Sequence, residues 1–81
     1  MSTKLTAARV ALLRRLRFAG GRIHSTTFDH ITKGLVTRIT NDQPDPPWIG
    51  RIWDGRSDDY TLTLEPAGRA ALQDAEAADG E

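Results

Sequence analysis

The chain divides by charge at its middle. Residues 1–40 carry eight cations (Lys4, Arg9, Arg14, Arg15, Arg17, Arg22, Lys33 and Arg38) against the single anion Asp29. Residues 41–81 carry three cations, Arg51, Arg56 and Arg69, against ten carboxylates. The formal net charge of zero conceals this split. Segregation of this size gives the chain a polar axis. The expectation is a folded molecule with one flank that faces a polyanion and another that is acidic.

At 81 residues the chain makes one small domain, expected over residues 1–73, with an acidic tail at 74–81 that frays. A domain of this size buries roughly 60–65% of the surface its unfolded form exposes. Its core material is a short set: Leu5, Val10, Leu12, Leu13, Leu16, Phe18, Ile23, Phe28, Ile31, Leu35, Val36, Ile39, both Trp, Ile49, Ile52, Tyr60, Leu62, Leu64 and Leu72. That set fills one core and leaves no room for an ordinary enzyme cavity, so no catalysis and no cofactor are expected. The absence of cysteine excludes disulfides and thiolate metal sites and fits a cytoplasmic setting. The longest uncharged apolar run, Val10 to Leu13, is too short for a membrane span, and the N-terminus does not read as a signal peptide. Arg outnumbers Lys nine to two, which looks like GC-rich coding bias rather than selection for guanidinium chemistry.

Thr6 is placed to cap a helix from Ala7 to about Ala19. Its apolar arc is Leu5, Ala8, Leu12, Leu13, Leu16 and Ala19, and Gly20-Gly21 stops it. Arg22-Ile23-His24 reads as a short β-bridge. Ser25 or Thr26 caps a second helix to Lys33, with Phe28 and Ile31 inward, and Gly34 ends it. Leu35 to Thr40 reads as a strand because it is β-rich. The three prolines between Asn41 and Pro47 make a loop. Trp48 to Trp53 and Tyr60 to Leu64 read as strands joined by a turn at 54–58. Pro66, preceded by Glu65, starts a third helix.

Two stretches resemble winged-helix DNA-binding regulators of bacteria and their phages. Gly34-Leu35-Val36-Thr37-Arg38-Ile39 looks like the "GLV.R" segment by which such domains leave the recognition helix and enter the wing. Tyr60-Thr61-Leu62-Thr63-Leu64-Glu65-Pro66-Ala67-Gly68-Arg69-Ala70-Ala71-Leu72 is similar to the ending in which the last wing strand hands over to a closing helix. Leu5-Thr6 to Leu16 looks like the first helix of the family. Only fourteen residues separate Ala19 from Gly34, so the resemblance is to an abbreviated variant. It implies an α+β fold of three helices with a two- to three-stranded antiparallel sheet. It also implies binding of duplex DNA, regulation of transcription and a possible homodimer.

Under that resemblance the candidate DNA contacts are Arg14, Arg15, Arg22, Thr26, His30, Lys33, Arg38 and Arg56. A helix carrying Thr26, Asp29, His30 and Lys33 outward suits the major groove, where Lys, His and Thr meet base acceptors, while Asp29 opposes phosphates. Arg56 sits at the tip of the wing among Asp54, Asp58 and Asp59. The cations of the first helix are spread around it, which suits an ordinary solvated surface for any single one, while as a group with Arg22, Lys33 and Arg38 they suit imprecise neutralisation of phosphates. Trp48 and Trp53 are five apart, so a regular strand sends them to opposite faces. One of them then belongs to the core and the other is a candidate anchor for a protein partner. That gives the alternative function, an interaction module or phage-type inhibitor that binds a protein. His24, Asp29 and His30 lack the spacing of a metal site, and Ser25 to Thr27 are better explained as helix caps than as nucleophiles.

Overall fold

The structure is a computed structural model that describes residues 5–79; Lys4 and Glu81, counted in the two charge halves, and Gly80 lie outside it. The elements run α1 (Ala7–Phe18), β1 (Arg22–His24), a 3₁₀ turn (Ser25–Thr27), α2 (His30–Asp42), β2 (Ile49–Trp53), β3 (Tyr60–Leu64) and α3 (Pro66–Asp79). The sheet is antiparallel in the order β1-β3-β2. This is the expected α+β class, three helices and a three-stranded sheet in a winged-helix-like layout.

α1 begins as its sequence requires. The Thr6 hydroxyl accepts the Arg9 N–H at 3.3 Å, satisfying one of the unpaired donors of the first turn. The helix closes at Gly20 and Gly21, at φ 86° and 93°. Gly21 N–H reaches back to Leu16 O at 2.7 Å and Gly20 N–H to Arg17 O at 3.1 Å, the paired bonds of a Schellman stop. A side chain at either position would strain the reversal into β1.

The pleat of the sheet decides what each face carries. Register aligns Ile23 with Leu62, Ile49 with Leu64 and Trp53 with Tyr60 on one face. Arg22, Thr63 and Gly50, then His24, Thr61 and Ile52, form rows on the other. The helices cover the first face. There Leu12, Leu13, Leu16, Val36, Ile39 and Leu72 join Ile23, Phe28, Trp48, Ile49, Tyr60, Leu62 and Leu64 in one cluster. Leu13, Leu16, Leu62 and Leu72 have no exposed area, and truncating any of them to Ala costs about 2–5 kcal/mol. Gly68 lets α3 close onto this layer, since a β-carbon there would overlap the Trp48 carbonyl. That same carbonyl accepts the Glu65 N–H at 2.9 Å.

α2 departs most from the sequence reading. The helix expected over residues 25–33 and the strand expected over Leu35 to Thr40 are replaced by one helix, His30–Asp42. Gly34 lies inside it, and so does the whole Gly34–Ile39 segment expected to lead into the wing. The cause is tertiary. Val36 and Ile39 lie one turn apart and are both fully buried. The Thr37 and Thr40 hydroxyls donate to the carbonyls of Lys33 (3.2 Å) and Val36 (2.8 Å), which satisfies these side chains inside the helix. Ile31, expected inward, is 83% exposed on the first turn of α2, and Phe18, expected in the core, is 95% exposed at the last residue of α1. Ala8 and Ala19 are also exposed. Ile52 leaves the core because alternation sends it to the uncovered face of the sheet.

Ser25, expected as a helix cap, is instead a buried staple. Its hydroxyl donates to Asp59 at 3.0 Å and accepts the Tyr60 N–H at 3.0 Å. α3 continues to Asp79 through the stretch expected to fray, because Leu72 is buried, Ala71 and Ala75 are half-buried, and Glu76 is held by α1.

Candidate nucleic-acid interface

α2 owes its start to Asp29. Its carboxylate accepts the Thr32 N–H at 2.8 Å. Hydrogen bonds from Thr32 hold the Asp29 carboxyl below its ordinary value, with the charges of Arg15 and His30 acting the same way. The anion that counted against groove contact is therefore engaged at the positive end of the helix.

The helix then presents two sides. Val36 and Ile39 face the core, flanked by half-buried Thr32, Leu35 and Thr40. At 3.6 residues per turn the opposite side carries His30, Thr37 and Asn41, bordered by Lys33, Arg38 and Ile31, all exposed. Gly34 lies in the middle of that side with open space above its α-carbon. Among the described residues, Lys33 and Arg38 meet no carboxylate, and the Asn41 amide makes no hydrogen bond. A helix face with two unneutralised cations, a free amide and a glycine at its centre can approach a polyanion closely. It has the donors that guanine and adenine edges accept.

The cations of α1 behave otherwise. Arg17 grips Glu76 with two bonds, at 2.5 and 2.9 Å, and Arg14 Nε donates to the same carboxylate at 3.1 Å. The Arg17 hydrogen bonds, with help from Arg14, pull the Glu76 carboxyl down to about 2. Arg9 pairs with Asp42 at 3.0 Å. The basic half of the chain is thus partly folded against its acidic half, and the single polyanion-facing flank expected from the charge split is not formed.

The eight candidate contacts divide accordingly. His30, Lys33 and Arg38 come together on α2. Arg15 lies beside them, stacked 5.2 Å from the Phe28 ring centroid, and lines a shallow groove with Ala8, Ala11, Thr32 and Leu35. Thr26 is exposed in the 3₁₀ turn, where its N–H donates to His24 Nδ1. Arg14 is committed to Glu76. Arg22 is on the far face of the sheet, in register with Thr63, so α2 and Arg22 do not share a surface. Arg56 is exposed in the β2–β3 turn. That turn is tied to the chain leading into α2 by His24 Nε2 to Asp54 (2.9 Å) and by Ser25 to Asp59.

Thr37, Asn41 and Arg51 escaped the sequence reading. The strand expected over Leu35 to Thr40 takes in Thr37 and the loop expected from Asn41 takes in Asn41, so neither is placed on a helix. A helical period running Thr32, Val36, Ile39, Thr40 and Gln43 was the signal for them. Of the two tryptophans, Trp48 belongs to the core at 7% exposure and Trp53 is 53% exposed. No three His, Asp or Glu side chains among the described residues converge as a metal site, and no described helix is long and apolar enough to cross a membrane. Comparison with protein-family models, with curated proteins and with solved structures gave no match to this chain.

Proposed function

We propose that the chain binds duplex DNA through the outward side of α2, in the manner of a small transcriptional regulator working in the cytoplasm. The observation that carries this reading is the contrast on the surface: among the described residues Lys33 and Arg38 meet no carboxylate, beside His30 and Asn41, whereas Arg9, Arg14 and Arg17 are each ion-paired. Lys33, Arg38 and Arg15 engage phosphates. His30, Thr37 and Asn41 approach base edges over Gly34. Arg56 adds a contact from the hairpin turn. One helix offers a modest footprint, and a homodimer reading two half-sites supplies the remainder.

The test is binding to duplex DNA across a salt series. Affinity should fall as salt rises, with a log–log slope set by the number of neutralised phosphates. Absence of binding at low salt rejects the proposal.

A protein partner is the second reading, favoured by Phe18 and Ile31 at 95% and 83% exposure. Capture of one partner that is lost in Phe18→Ala or Ile31→Ala, with no affinity for DNA, would select it.

A further inference from the structure

The β2–β3 hairpin holds an aromatic side chain in an unusual setting. Trp53 and Tyr60 face each other across the ladder, with ring centroids 5.1 Å apart and planes at 66°. The Arg51 guanidinium lies 4.9 Å from the Trp53 ring and 5.5 Å from that of Tyr60. Tyr60 is buried, yet the indole beside it is 53% exposed. The ring is therefore fixed on two sides, by an edge-to-face aromatic and by a cation, while half of its surface remains in water.

The surroundings indicate what would cover it. An apolar partner surface would find little apolar area to bury around the ring. The adjacent exposed apolar residue, Ile52, points to the opposite face of the sheet, in register with Thr61 and His24. What accompanies Trp53 on its own face is Arg51. A cationic ligand would be repelled by that guanidinium. A nucleobase would stack on the indole, and its phosphate would meet Arg51. The acidic turn opposes this only in part. Asp54 is held by His24 and Asp59 by Ser25, which leaves Asp58 as the turn carboxylate with no partner among the described residues.

We propose that Trp53, positioned by Arg51 and Tyr60, is a stacking platform for an unpaired nucleobase, so that the chain favours DNA with a single-stranded or unstacked position beside the duplex. The proposal extends the reading of α2 as a DNA-binding helix and can be judged separately from it.

The experiment titrates the full chain with a blunt duplex, with the same duplex bearing a short thymidine overhang, and with oligothymidine alone. Tryptophan fluorescence is followed, and because Trp48 is buried, quenching by the nucleic acid reports Trp53. The overhang should tighten binding by about 5- to 100-fold and quench the emission. Trp53→Ala should remove the gain and leave the blunt-duplex affinity unchanged. Trp53→Phe should keep most of the gain, and the unchanged blunt-duplex affinity of Trp53→Ala shows that its loss is not a loss of fold. An overhang that adds nothing, or a gain that survives Trp53→Ala, overturns the proposal even where the blunt duplex binds. Quenching by oligothymidine without duplex binding supports the platform and rejects the α2 reading. No binding of any of the three rejects both.

Discussion

α1 and α2 both carry cations on their outer sides, and the fold treats them in opposite ways. On α1, Arg14 and Arg17 converge on Glu76 and Arg9 reaches Asp42, so the cations fasten α1 to α3 and to the last residue of α2. On α2, Lys33 and Arg38 are left facing solvent with no carboxylate beside them among the described residues. Nothing in the count of charges separates these groups. The separation comes from which acidic element packs against which helix, and it turns a uniformly basic half into one fastening surface and one available surface.

The strongest way to break the contrast is to remove the available cations. Lys33→Ala with Arg38→Ala should weaken duplex binding by about 10- to 100-fold and reduce the salt slope by about 2. Its melting temperature should stay close to that of the parent, because neither side chain packs against the core. Melting curves beside the titrations check both halves of this expectation. Equal losses from Arg9→Ala would erase the distinction between the helices.

Gly34→Ala sharpens it. Space above Gly34 is open, and alanine in a helix interior is worth about 0.5–1 kcal/mol over glycine. The variant should melt higher and bind duplex several-fold more weakly, since the added methyl group stands off the bases. Denaturant titration and a binding isotherm give the two signs.

Glu76→Gln should act in the reverse direction. It releases Arg14 and Arg17, lowers the melting temperature and raises duplex affinity by about twofold to fivefold at low salt. No change in affinity would mean that the released guanidiniums lie outside the contact surface.

The smallest effect is in pH. The Glu76 carboxyl sits at about 2, below its ordinary 4.5. A lowered value means that its stabilisation is fully present above about pH 4.5 and is lost as acid carries it down through about 2. Acid unfolding of the parent should therefore be steeper in that window than that of Glu76→Gln, with the difference blunted by salt because the pair is exposed.

Much of the fold was legible in the sequence. The Thr6 cap and Gly20-Gly21 stop bracket α1, strict alternation marks Tyr60 to Leu64, and Pro66 opens α3, because each of these signals is local. α2 was not legible in the same way. Its Leu35 to Thr40 stretch is rich in branched residues, and their strand preference was outweighed by the burial of Val36 and Ile39. The site suffered from the same error. His30, Lys33 and Arg38 were readable as basic or polar side chains, but Thr37 and Asn41 could join them only once residues 35–41 were helical. The neutralisation of Arg14 by a residue sixty-two positions away has no trace in local sequence.

Gln43 has a consequence for how the molecule coexists with its own copies. Its side-chain amide accepts the N–H groups of Trp48 and Ile49, both at 3.0 Å, and donates to the Ile49 carbonyl at 3.2 Å. A peptide group from a fourth strand would make the same bonds at the open margin of the sheet. The glutamine thus stands in for a neighbour that is not there and denies the first residue of β2 to an incoming chain, a safeguard against intermolecular sheet growth and aggregation.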